Sequence, residues 1–119
     1  MRFISIFTHE PVSGPPSEEM IAKMGKLIEE GMKAGWLVTT EGVEFGAAGV
    51  RVHRSGGRVT VTDGPFSEAK EVIGGYAIFE LRDKQEALAM AKEFMQLHLD
   101  HMPAWEGTCE LRAFAQPPC

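Results

Sequence analysis

Asp63-Gly64-Pro65-Phe66-Ser67-Glu68-Ala69-Lys70-Glu71, with Val72-Ile73-Gly74-Gly75-Tyr76 directly behind it, is the stretch on which the reading of this chain turns. Before it, Arg58-Val59-Thr60-Val61-Thr62 alternates with the period of a half-buried strand, and Asp63-Gly64-Pro65 halts that pattern. Gly64 admits backbone angles closed to other residues, while Pro65 fixes φ near about −65° and lacks an N–H. Pro65 therefore suits the first position of a short helical turn through Glu68, Ala69 and Lys70. Such a turn leaves the N–H groups of Phe66, Ser67 and Glu68 unpaired, with the Asp63 carboxylate near enough in sequence to accept one. Two readings of these residues stay open. In one, Asp63 is a turn cap, Phe66 a core plug, and Glu68, Lys70 and Glu71 a solvated face. In the other, the same groups line a small pocket with Asp63 as general base and Lys70 as electrostatic anchor.

The flanks extend the pattern on both sides. Val50 to Arg54 and Arg58 to Thr62, joined by Ser55-Gly56-Gly57, predict a hairpin that brings Arg51, His53, Arg58 and Asp63 into one neighbourhood. Gly74 to Leu81 predicts a strand whose paired glycines let another backbone or a ligand come close. Tyr76, the single tyrosine, reads either as a hydrogen-bonding ligand contact or as an amphipathic core residue. Upstream, Arg2 to Thr8 predicts a strand apolar on both faces, as in a central strand covered on two sides. His9 follows at its end, a second candidate site residue. Ser17 as N-cap, acidic Glu18 and Glu19, and Met20, Ile21, Met24, Leu27, Ile28 and Met32 at helical spacing predict a helix stopping at Gly35. Its methionines read as core filling. Trp36 to Glu41 predicts a further strand.

On the far side, Asp83 with Glu86 three residues on predicts a capped helix start, with Ala87, Leu88, Ala91, Phe94 and Met95 on its buried face. His98 and His101 close that helix, where dipole effects favour histidine; two such residues are short of the ligands a metal site needs. Thr108 to Phe114 predicts the last strand. The order β-α-β, hairpin, β-α-β fits a ferredoxin-like α+β unit with an inserted hairpin.

Asp63 to Phe66 with Glu68, Lys70, Glu71, Gly74, Gly75 and Tyr76 resembles the signature of the YCII-related family, and within it the DGPF-domain branch. The resemblance runs from the opening strand to Cys109-Glu110-Leu111-Arg112. It implies a ferredoxin-like unit pairing as a dimeric α/β barrel, and so a homodimer. Some relatives resemble small-molecule lyases or dehalogenases, and many members are associated with extracytoplasmic-function sigma factors.

Composition narrows the classes of function. The chain has 119 residues, 44% of them hydrophobic, enough for one domain with a core, expected over residues 1–115 with a tail at 116–119. Twelve Lys and Arg against 17 Asp and Glu give a net charge of −5 and no basic run, which argues against direct nucleic-acid binding. No apolar run reaches the roughly 20 residues of a membrane span, and the N-terminus reads as a strand and not a signal peptide, so a cytoplasmic location is expected. Cys109 and Cys119 form neither a disulfide framework nor a metal spacing. Gly42 to Gly49 lacks the Lys-Ser/Thr of a phosphate loop, and no cofactor is expected.

The expected function is a small-molecule pocket protein. As an enzyme it would use Asp63, His9 or His53 for acid/base chemistry of lyase, dehalogenase or isomerase type on a small acidic or aromatic ligand. Lys70, Glu71, Tyr76, Phe66 and Arg58 are its expected ligand contacts. The alternative is a non-catalytic module that senses a metabolite or cooperates with an alternative sigma factor.

Overall fold

The computed structural model describes residues 1–10, 15–43, 49–64 and 72–115. Along it run β1 (Arg2–His9), α1 (Glu18–Ala34), β2 (Leu37–Gly42), β3 (Val50–Ser55), β4 (Arg58–Asp63), β5 (Val72–Glu80), α2 (Lys84–His101) and β6 (Gly107–Ala113). The expected turn through Pro65, Phe66, Glu68, Lys70 and Glu71 and the expected tail with Cys119 lie outside the described residues.

Helix boundaries follow from local chemistry. The Ser17 hydroxyl accepts the Met20 N–H at 3.1 Å and opens α1. Gly35 closes it at φ 88°, its N–H donating to the carbonyls of Gly31 and Met32. The Asp83 carboxylate accepts the Glu86 N–H at 2.9 Å and opens α2. Glu86 reaches back to the N–H of Arg82, one residue earlier than in a standard capping box, and also takes its guanidinium.

Four strands form an antiparallel sheet in the order β2-β5-β1-β6, while β3 and β4 form a separate ribbon. The main sheet and two helices make an α+β unit whose strand order fits the ferredoxin-like arrangement. No described helix is long and apolar enough to cross a membrane.

The sheet has two unlike faces. Phe3, Ser5, Phe7 and His9 of β1 lie on the inner face, and Phe3, Leu27, Leu37, Ala77, Phe79, Ala87 and Phe94 form the core between sheet and helices. The Phe79 ring stands 5.8 Å from Trp36 and 6.2 Å from Phe94. The α1 stripe is narrower than its spacing predicts. Met20 and Leu27 are buried, yet Ile21 and Met32 remain 57% and 46% exposed. On the outer face, Ile4, Ile6, Tyr76 and Ile78 are only half-buried, so the central strand is covered on one side within the chain. Two ion pairs frame that face, Arg2 to Glu80 at 3.0 Å and Arg112 to Glu110 at 2.6 Å.

The ribbon is the expected hairpin, and its register divides the neighbourhood of Arg51, His53, Arg58 and Asp63 between two faces. Its register pairs Val50 with Asp63, Arg51 with Thr62 and His53 with Thr60, around a turn in which Gly56 takes φ 59°. Alternation then puts Arg51, His53 and Arg58 on one face, and Val50, Val52, Val59, Val61 and Asp63 on the other. Asp63 therefore does not share a face with His53 and Arg58. Both strands are exposed throughout. The radius of gyration of 16.4 Å exceeds the about 13.5 Å of a compact chain of this length, consistent with a ribbon that projects from the body.

Gly31 tests the packing of α1. A Cβ at this position would meet the Trp36 ring at 2.7 Å and the Leu37 Cβ at 3.0 Å. Alanine gains about 1 kcal/mol of helix propensity, but overpacking costs about 1–3 kcal/mol. Gly31→Ala is expected to lower the thermal midpoint by about 4 °C, read by circular dichroism.

Candidate functional site

The inner face of β1 ends in His9, at the point where β5 carries an extra residue. Phe7 pairs with Gly75 and Thr8 with Ile73, so Gly74 forms a bulge. The His9 imidazole lies against it, and a Cβ on Gly74 would overlap Nε2 and Cδ2 of that ring. A Cβ on Gly75 would instead stand 2.8 Å from the Glu41 carbonyl oxygen of β2. The paired glycines thus admit a side chain on one residue and a neighbouring strand on the next.

His9 is 6% exposed, with Nδ1 2.7 Å from the carbonyl oxygen of Glu10. A carbonyl only accepts, so Nδ1 carries the hydrogen and Nε2 is the acceptor of the neutral ring. Trp105, in the connection from α2 to β6, packs 5.7 Å from His9 and 4.2 Å from His98 between ring centroids. His98 repeats the arrangement, its Nδ1 standing 2.8 Å from the Phe94 carbonyl oxygen one turn earlier. Burial pushes the His98 pKa below its ordinary value. The Phe94 carbonyl opposes that shift and the neighbouring His9 adds to it.

Around these rings lies a cleft of about 310 Å³, walled by Phe7, Met24, Ile28 and Phe94, with Thr40 and Glu41 entering from β2. It shares its histidines with a wider space along α1 that reaches Met20 and Met102. A pocket of this size holds a molecule of one or two rings.

Of the residues read from sequence, His9 stands in this cleft. Tyr76 is on the outer face of the sheet, with its carbonyl taking the Thr40 hydroxyl at 2.9 Å. Asp63, His53 and Arg58 are exposed on the ribbon. Phe66, Lys70 and Glu71 lie outside the described residues, but Val72, next in the chain after Glu71, pairs with His9. The two helix-end histidines diverge. His98 turns into the cleft, while His101 stands 3.6 Å from Glu19 of α1. Among the described residues no three His, Cys, Asp or Glu converge as a metal site would require. Cys109 shares a 2.6 Å hydrogen bond with Ser5, and burial pushes its pKa up against the opposing effect of that hydroxyl, which disfavours the reactive thiolate.

Sequence reasoning gave His98 a cap or metal role and passed over Trp105. One signal for His98 was present: Ala87, Ala91, Phe94 and His98 continue a single helical stripe. Nothing local marks Trp105, since its role arises when the connection folds back over His9.

The family model of the YCII-related domain matches residues 1–96. No curated protein matches the chain. His98 and Trp105 lie beyond the matched span.

Because folding lowers the His98 pKa below the 6.5 of the unfolded chain, the unfolded state binds more protons between the two values. Stability is then fully present above about pH 6.5 and falls as acid carries the solution down through the folded-state value. His98→Asn, which can still donate to the Phe94 carbonyl, is expected to flatten that slope in urea titrations run from pH 7.5 to 5.

Proposed function

The chain belongs to the YCII-related family, and from that premise we propose that it is a small-molecule pocket protein of the DGPF branch performing acid/base chemistry. The observation that carries this reading is the buried His9, its tautomer set by the Glu10 carbonyl and its ring in a largely apolar cleft. A histidine so held keeps its acceptor nitrogen on one ring position, the requirement for a positioned general base. His9 takes a proton from an acidic position of a small acidic or aromatic ligand and returns it elsewhere, the step shared by lyases, dehalogenases and isomerases. The pairing of Val72 with His9 supports a part for the preceding motif, with Asp63 as proton partner and Lys70 as anchor of developing negative charge. Glu71 and Phe66 are the further ligand contacts of this reading. Tyr76, Arg58 and His53 contribute only where a second copy brings them to the cleft.

The same reading makes the protein a cytoplasmic homodimer. Half-buried Ile4, Ile6, Tyr76 and Ile78 form an apolar patch framed by acid and base together, the mixed pattern that a two-fold contact with its own copy requires. Sedimentation velocity is expected to give twice the chain mass for the wild type and the chain mass for Ile6→Lys. A monomeric wild type would remove the dimer.

For the chemistry, a thermal-shift panel of small carboxylates, lactones and phenols selects ligands, whose acidic hydrogens are then followed by NMR in deuterated water. Wild type is expected to catalyse exchange, with His9→Gln slowed about 100-fold or more. Binding without exchange in the wild type would leave a metabolite-sensing module, the form in which cooperation with a sigma factor would operate.

A further inference from the structure

We propose that the cleft takes an uncharged ring compound bearing a hydroxyl, a phenol or a cyclic enol, whose O–H donates to Nε2 of His98. The proposal deepens the pocket reading above and rests on it.

The hydrogen-bonding inventory of the cleft points to this class. Both histidines lining the cleft spend their Nδ1–H on backbone carbonyls, His9 on Glu10 and His98 on Phe94. Thr40 spends its hydroxyl hydrogen on the Tyr76 carbonyl. What remains on the described lining side chains is a set of acceptors: Nε2 of His98, the lone pairs of Thr40 and the carboxylate of Glu41. Among these side chains the indole N–H of Trp105 is the single remaining donor. A hydroxyl answers such a site because it both gives and accepts.

Charge and shape narrow the class further. No Lys or Arg stands among the described lining residues, and burial, with a smaller effect of His9, works against protonation of His98 while the Phe94 carbonyl opposes that effect. Against the described lining residues a carboxylate would lose water without gaining a cation. An ammonium would find Glu41, but that side chain is exposed and the walls deeper in are Phe7, Met24, Ile28 and Phe94. These flat and flexible apolar surfaces fit a ring. His98 is positioned for the contact from two sides, by its bond to Phe94 and by Trp105 at 4.2 Å.

The test uses the full-length wild-type protein labelled with ¹⁵N-histidine, titrated at neutral pH with three probes of similar size: p-cresol, benzoate and benzylamine. The Nε2 resonance of His98 is assigned by its loss in His98→Asn. The expected result is that p-cresol binds about tenfold or more tighter than either charged probe and moves the His98 Nε2 signal as an accepted hydrogen bond does. Tighter binding of benzoate or benzylamine, or p-cresol binding that leaves His98 Nε2 unmoved, would overturn the assignment of ligand class while leaving the pocket in place. No binding by any probe would remove both the class and the pocket reading.

Discussion

The antiparallel pairing of β1 with β5 is the constraint on which the rest of the molecule depends. It runs the length of both strands, from Arg2 opposite Glu80 to His9 opposite Val72. Because side chains alternate, this register decides that Phe3, Ser5, Phe7 and His9 meet the helices while Ile4 and Ile6 do not. A slip of one residue would send the phenylalanines outward and remove His9 from the cleft. The bulge at Gly74 is part of the same constraint. It absorbs one residue of β5 at the level where the His9 ring needs room, and a glycine is required there because of that close approach. Its backbone angle does not demand one, since the positive-φ glycines of the described chain are Gly35 and Gly56.

Around that register the two histidines form a unit. They come from opposite ends of the fold, one on the strand that opens the chain and one on the last turn of α2, and Trp105 fills the gap between them. Each has its Nδ1 committed to a carbonyl, which fixes its other nitrogen as the acceptor position of the neutral ring. Burial disfavours protonation of His98, and the neighbouring His9 acts in the same direction. Among the described residues the cleft thus presents proton acceptors and no Lys or Arg.

The sidedness of the sheet has a second consequence. With both helices on the inner face, an apolar outer face and a ribbon of exposed valines remain, Val52, Val59 and Val61 being about two-thirds exposed. An isolated two-stranded hairpin is marginal in water, so the ribbon gains stability from whatever covers its valine face. Exposed apolar surface on two separate elements is the usual mark of a contact surface.

Much of the architecture was legible in local chemistry. Ser17 and Asp83 announce their helices because a side-chain oxygen beside free N–H groups caps them wherever the chain goes. Gly35 and the Ser55-Gly56-Gly57 turn act as readily, since a positive φ is a property of one residue. Family membership was likewise legible, in the spacing of Asp63 to Tyr76. The site was legible only in part. His9 was visible as a polar residue ending an apolar strand, whereas the faces taken by Tyr76 and Asp63 depend on alternation across the sheet and the hairpin. Tyr76 lies on the other face and Asp63 on the far side of its own hairpin from His53. The sequence by itself determined the elements, their order and their caps, because those depend on neighbours within a few residues. Only the tertiary structure decided that His98 and Trp105 meet His9, because contacts between residues about ninety positions apart depend on strand register and helix docking, which no local pattern encodes.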